Sequence, residues 1–230
     1  MSPLPDAGYH ASEPLVEYGT ALEEASAAII LIHGRGDSAR GILGLAPAIQ
    51  VKGLAFLAPQ ARANTWYPYS FLAPLDHNEP GLSSGIEVIR HAVERVAAAG
   101  LSREKTMIVG FSQGACLAAE FVARNPARYG GLAILSGGLI GNAQLPDAPP
   151  PNDKRFDYDG DVLATPVFVG CSDIDPHIPL DRVKMTAKVF TNLGADVTTR
   201  IYPGMGHTVN DDEIDHLRAM VEGLLSQAPG

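Results

Sequence analysis

Thr106-Met107-Ile108-Val109-Gly110-Phe111-Ser112-Gln113-Gly114-Ala115-Cys116-Leu117-Ala118-Ala119-Glu120 decides how the chain is read. Its first part is an apolar, β-type run, and its last part, rich in Ala and Leu, favours helix. Between them lies a Gly-x-Ser-x-Gly pentapeptide. A strand that turns into a helix through this pentapeptide forms a nucleophile elbow. The tight turn holds its central serine in a strained backbone conformation, with the hydroxyl exposed at the tip. Gly110 and Gly114 lack a Cβ, so strand and helix can pass close together. The amide of Gln113 falls at the helix N-terminus, where unpaired N–H groups attract negative charge. A plainer account is an ordinary strand-to-helix turn in which Ser112 caps the helix. What separates the two is whether a base, an acid and a second oxyanion donor stand in the right places elsewhere.

Outward from this stretch, Ala27 to His33, Gly53 to Ala58, Gly131 to Ser136 and Thr165 to Gly170 are further short apolar runs. Such runs suit strands buried on both faces. Leu15 to Thr20 reads as a first edge strand, and Val197 to Tyr202 as a last, more polar strand near the other edge. Helical spacing lies between. Ile86, Ile89, Val93 and Val96 share one face, as do Leu180, Val183, Ala187, Phe190 and Leu193, and then Ile214, Leu217, Val221 and Leu224. Strand and helix alternate, so the expected class is α/β: a mostly parallel central sheet with helices on both faces. No repeat or linker divides the chain. Residues 13–227 read as one domain behind a loose, polar, Pro-containing arm at 1–12.

With 230 residues, 46% of them hydrophobic, the chain can bury one sizeable core. Its net charge of −9 excludes the basic face of a nucleic-acid binder and disfavours standing attachment to anionic membranes. Two cysteines, Cys116 and Cys171, make no disulfide framework and read as buried free thiols. No basic patch followed by an apolar run opens the chain, and no stretch reaches the length of a membrane span, so a cytoplasmic protein is expected.

In an open parallel sheet the working groups gather past the C-terminal ends of the strands. After Val169 comes Gly170-Cys171-Ser172-Asp173-Ile174-Asp175-Pro176-His177-Ile178-Pro179. Asp175, which leads straight into the next helix, is the preferred carboxylate, with Asp173 its competitor. Both also suit turn or cap positions. After Tyr202, the flexible Pro203-Gly204-Met205-Gly206 turn ends in His207. That is where a Ser…Asp…His order places the base. His33-Gly34-Arg35-Gly36-Asp37 follows an early strand, where the second oxyanion amide arises in such a sheet. Arg35 is the expected donor beside Gln113. His33 is a rival base, better read as a support for the turn. The histidines and cysteines show no metal-ligand spacing, so neither metal nor cofactor is expected.

The chain resembles the α/β-hydrolase superfamily, and within it the phospholipase/carboxylesterase family of bacterial carboxylesterases and acyl-protein thioesterases. The matching stretches are His33-Gly34-Arg35-Gly36-Asp37, Ala58-Pro59-Gln60, Gly110-Phe111-Ser112-Gln113-Gly114, Asp175-Pro176-His177-Ile178-Pro179 and Gly206-His207. They run through almost the whole chain, and Gly-Phe-Ser-Gln-Gly is the most specific. The resemblance implies an α/β-hydrolase fold without a large lid domain. It also implies a Ser112/Asp175/His207 triad, oxyanion amides at Arg35 and Gln113, ester or thioester hydrolysis without cofactor, and often homodimers. Two departures stand near the expected substrate mouth: Arg35, where the family usually has an apolar residue, and Trp66-Tyr67-Pro68-Tyr69, where it usually has Trp-Phe/Tyr-Asp.

The leading expectation is a serine carboxylesterase acting on small to medium acyl, or aryl, esters as small-molecule substrates. An acyl-protein thioesterase or lysophospholipase-type hydrolase is the alternative, and a silent binding protein on the same fold the non-enzyme one. The Asn64–Pro74 loop carries Trp66, Tyr67 and Phe71, the candidate substrate wall. Its aromatics serve equally to pack the loop down. The long Gly141–Asp161 stretch reads as a pocket rim or an exposed connection. Arg35, a cation beside an oxyanion amide, is expected to reach the mouth and favour acid-bearing substrates.

Overall fold

The computed structural model describes residues 8–142 and 154–226. Its strands, in chain order, are β1 (Leu15–Gly19), β2 (Ala27–Ile32), β3 (Leu54–Pro59), β4 (Thr106–Phe111), β5 (Gly131–Leu135), β6 (Pro166–Ser172) and β7 (Asp196–Tyr202). The helices are α1 (Ala39–Ile42), α2 (Ala46–Ile49), α3 (Gly81–Ala98), α4 (Gln113–Arg124), α5 (Leu180–Asn192) and α6 (Asp211–Ser226). The strands form one seven-stranded sheet in the order β1-β3-β2-β4-β5-β6-β7. Every neighbouring pair is parallel except β1 with β3.

Alternation along the strands sorts the side chains to two faces. Ala28, Ile30 and Ile32 of β2 pack with Ile108, Leu132, Ile134 and Val169 against α3, α4 and α5. Ala27, Ile29 and Leu31 pack with Met107, Val109, Ala133 and Leu135 against α1, α2 and α6. Each central strand therefore carries apolar residues on both faces, as its unbroken hydrophobic run requires. The most polar strand, β7, lies at an edge, and β1 closes the other.

The N-terminal segment departs from the expected loose arm. Residues 1–7 lie outside the described region, but Gly8–His10 form a turn that buries His10 completely. The His10 Nδ1 accepts the Arg62 amide at 3.0 Å, and its Nε2 lies 3.0 Å from the Trp66 carbonyl. A polar stretch docks here because the imidazole satisfies backbone groups that the Arg62–Trp66 loop would otherwise bury unpaired. Of the long 141–161 connection, residues 143–153 lie outside the described region. The part after it is fastened: Glu120 of α4, fully buried, accepts Lys154 Nζ at 2.6 Å, Tyr158 Oη at 2.9 Å and the Ile140 amide at 3.0 Å.

Helix α6 opens with a capping box. The Asn210 Oδ1 accepts the Glu213 amide at 2.9 Å, and a Glu213 carboxylate oxygen accepts the Asn210 amide at 3.0 Å. The other oxygen, Oε1, is buried without a hydrogen-bond partner among the described residues. Burial pushes the Glu213 carboxyl up from 4.5 to about 7, the Asn210 amide opposes this, and the charge of Asp212 adds to it. The folded chain thus keeps a proton between these values that the unfolded chain releases, so stability is lost as pH rises through that window. Glu213→Gln keeps the shape and removes the titration. Thermal unfolding from pH 5 to 8 is expected to show the wild-type midpoint falling relative to the variant, and parallel curves would refute the assignment.

Candidate active site

Strand β4 ends at Phe111, and Ser112 takes φ 54°, ψ −119° before α4 begins. That left-handed conformation strains a residue with a Cβ and is held by its surroundings. The Ser112 amide donates to the Leu135 carbonyl at 2.9 Å, and its carbonyl accepts the Cys116 amide at 3.0 Å. The two flanking glycines permit the turn. A Cβ on Gly110 would strike the backbone of Gly114 and Ala115, and one on Gly114 would strike the carbonyls of Ile32 and His33. The first turn of α4 is thus pressed onto the end of β2. This brings the His33–Arg35 turn beside Ser112: a Cβ on Gly34 would sit 3.4 Å from that of Ser112.

Three strand ends then converge. The His207 Nε2 lies 2.8 Å from Ser112 Oγ, and its Nδ1 lies 2.7 Å from Asp175 Oδ2. The Asp175 side chain is wholly buried. Burial alone would raise its pKa, but the hydrogen bond from His207 and the amides of His177 and Ile178 overcome this and hold it below the usual carboxylate value. Those amides reach Oδ1 at 2.8 and 3.1 Å. An ionised acceptor on Nδ1 fixes the imidazole with Nδ1 protonated and Nε2 free to accept the serine proton. The rival carboxylate, Asp173, has other work: its Oδ1 accepts the Gly204 amide at 2.8 Å and so pins the loop that carries His207.

The rival base, His33, is fully buried and bound on both nitrogens. Its Nε2 accepts the Ala61 amide at 3.1 Å, which leaves Nδ1–H to donate to the Gly34 carbonyl at 2.8 Å. Burial lowers its pKa, so it stays neutral and supports the turn. Neither the Arg35 nor the Gln113 amide finds an acceptor among the turn, loop and cap bonds of the described residues. Their side chains meet on one carbonyl instead. Tyr67 O accepts Gln113 Nε2 at 2.8 Å and Arg35 Nη2 at 2.9 Å. The Gln113 Oε1 in turn accepts the Trp66 amide at 2.9 Å. The aromatic loop is thereby a brace between the two segments that carry those amides.

A cavity of about 430 Å³ opens at Ser112, lined among others by Arg35, Tyr67, Phe71, Cys116, Ile178 and His207. Trp66, expected in that wall, is not in it. Its indole is fully buried, donates Nε1–H to the His33 carbonyl at 2.9 Å and packs on the rings of His33 and His10. A buried indole needs an acceptor for its N–H, and the strand-end carbonyl supplies one. Sequence reading placed Tyr69 near the mouth only as part of its loop, and missed Cys116, Ile178 and His177 in the lining. Of these three, His177 and Ile178 carried a signal, because they adjoin Asp175. Among the described residues no group of His, Cys, Asp or Glu could hold a metal ion, and no helix is long and apolar enough to cross a membrane.

The sheet order and the serine on its sharp strand-to-helix turn are those of the α/β-hydrolase fold. The chain belongs to the phospholipase/carboxylesterase family, whose model matches residues 17–224. It is similar in structure to a phospholipase/carboxylesterase from Dyadobacter fermentans, with a TM-score of 0.84, 36% identity, and 94% of this chain and 100% of the other covered. Acyl-protein thioesterase 1 of Gibberella zeae is 25% identical, covering 89% of this chain and 93% of that protein. Acyl-protein thioesterase 1 of Saccharomyces cerevisiae is 27% identical, over 89% of this chain and 96% of that one. The family is one of serine hydrolases acting on esters and thioesters.

Two thiols stand close to these groups, and burial pushes both up to about 12; for Cys171 the charge of Asp175 adds to the effect. Neither is a thiolate at neutral pH, so neither has the ionisation a cysteine nucleophile needs. A disulfide reagent at pH 8 is expected to titrate neither cysteine in the native protein and both after denaturation. Rapid native labelling would contradict the burial.

Proposed function

We propose that the protein is a serine carboxylesterase that hydrolyses small to medium acyl or aryl esters through an acyl-Ser112 intermediate. The observation that carries this is the unbroken line Asp175–His207–Ser112, with its serine end on the cavity wall. Serine at neutral pH is a poor nucleophile, so His207 Nε2 takes its proton as Oγ attacks the ester carbonyl. Asp175 stabilises the imidazolium that forms. The tetrahedral oxygen receives the amides of Arg35 and Gln113, each such donor being worth about 3 kcal/mol in the transition state. His207 returns the proton to the leaving alcohol. Water then gives a proton to His207 as its oxygen attacks the acyl carbonyl; the C–Oγ bond breaks, His207 returns the proton to Ser112 Oγ, and the acid leaves.

A second reading is thioester hydrolysis, favoured by relatives named as acyl-protein thioesterases. It uses the same groups and differs in the leaving thiol. The cavity lining is compatible with an acyl chain against Phe71 and Ile178.

Matched p-nitrophenyl esters and acyl-thioesters, assayed across chain lengths, separate the two. Ser112→Ala is expected to lower kcat by a factor on the order of 10⁶ and Asp175→Asn by roughly 10⁴, each with little change in fold. A fluorophosphonate is expected to label the wild type at Ser112. An unlabelled protein with no turnover would be a binding protein on this fold, and the proposal would be lost.

A further inference from the structure

Among the described residues, one full cation faces the cavity and no acid does. Among the described residues lining it, Arg35 is the only lysine or arginine, and none is an aspartate or glutamate. This inverts the balance of a chain that carries −9 overall. The nearest functional carboxylate, Asp175, is buried behind His207, its oxygens taken by the imidazole and two amides.

The guanidinium is held rather than neutralised. Its Nη1 donates to Thr65 Oγ1 and the Pro68 carbonyl, each at 3.0 Å. Its Nη2 donates to the carbonyls of Tyr67 at 2.9 Å and Tyr69 at 2.7 Å. All these acceptors are neutral, and Arg35 makes no ion pair among the described residues. Four N–H groups thus fix the position of the charge without cancelling it. They also leave no two-pronged fork for a substrate carboxylate. What Arg35 offers a substrate is a fixed positive field, from an exposed side chain on a cavity whose lining also includes the apolar Phe71 and Ile178. An ordinary loop clamp needs only hydrogen bonds. A permanently charged one, with no counter-ion among the described residues, on the wall of a cavity adds an electrostatic preference.

We infer that the cavity selects esters bearing an anionic group, a carboxylate or phosphate, a few atoms from the scissile carbonyl, and that Arg35 is the specificity-determining residue. The inference rests on Ser112 being the nucleophile, as proposed above. The apolar part of the substrate lies against Phe71 and Ile178, and the anionic end lies toward the rim.

The test is the ratio of kcat/KM for anionic over neutral esters. One matched pair is p-nitrophenyl hemisuccinate and p-nitrophenyl valerate, with the charge on the acyl side. The other is 4-butyryloxybenzoate and phenyl butyrate, with the charge on the leaving side. Intrinsic reactivity cancels when each ratio is compared between proteins. Arg35→Met is expected to lower the ratio about five- to tenfold for at least one pair, whatever it does to absolute rates, since it also removes the clamp. Arg35→Lys, which keeps the charge but not the four bonds, is expected to retain most of the preference. In the wild type the ratio is expected to shrink between 0.05 and 0.5 M salt, as a field at an exposed rim must. The salt series needs no variant, so poor folding of either leaves a decision. Turnover with a ratio that ignores both salt and the Met substitution overturns this inference alone, as does equal loss in the Lys and Met variants. No turnover of any ester by the wild type overturns the hydrolase reading and takes this inference with it.

Discussion

The close approach of α4 to β2 is the constraint on which the rest depends. At Gly114 the helix backbone lies against the carbonyls of Ile32 and His33, and at Gly110 the strand lies against the helix's own first turn. Any side chain at either position collides with backbone, which cannot swing aside as a flexible side chain can. The approach does three things together. It forces Ser112 into its strained conformation, it lifts the hydroxyl clear of the sheet, and it sets the His33–Arg35 turn alongside it. Strain of this kind costs on the order of 1–3 kcal/mol and persists only where packing over-determines it. Here the packing is the strand on either side of β4 and the fully buried face of α4.

The loop before α3 repeats this logic with hydrogen bonds in place of steric contact. Residues 65–69 carry backbone carbonyls that neither strand nor helix satisfies. Arg35 and Gln113 supply the donors, Trp66 returns one to His33, and His10 closes the loop from beneath. Buried polar groups left unpaired would cost about 1–3 kcal/mol each, so the arrangement is cooperative. Loss of the Arg35 side chain takes a donor from the Pro68 and Tyr69 carbonyls, while Tyr67 O keeps its bond from Gln113, and the cavity wall loosens. The aromatic character of the loop therefore serves two ends. Tyr67 and Phe71 face the cavity, whereas Trp66 holds up the His33 turn beside Ser112.

The fold was legible in the sequence because hydrophobic periodicity is a property of consecutive residues. All seven strands and the three longest of the helical faces, Ile86 to Val96 among them, follow from spacing alone. The serine, the histidine and the preferred aspartate were legible because sheet topology sends strand ends to one rim, and that needs only the strand order. Side-chain destinations were not. Whether Trp66 faces the cavity or the core turns on a carbonyl at His33, far off in the chain. Burial of His10 turns on amides in the Arg62–Trp66 loop that no local pattern announces. Glu120 and Glu213 are buried acids on helices, indistinguishable in sequence from solvent-facing ones until their partners are known.

The same distinction bears on Arg35. Its presence after Gly34 marks it as unusual, and its backbone position places it beside Ser112. Sequence alone allows two opposite roles: a fork that grasps an acid, or a clamp that grips the loop. The geometry separates them, because hydrogen bonds are spent once and charge is not. Four N–H groups committed to neutral oxygens leave the guanidinium unable to chelate, yet still positive. A mobile lysine in its place would lose that fixed position to rotamer entropy, and an apolar residue would lose both field and clamp. Rigidity and polarity at this rim therefore come from one side chain. An apolar replacement therefore alters the loop it braces and the electrostatics of the cavity mouth together.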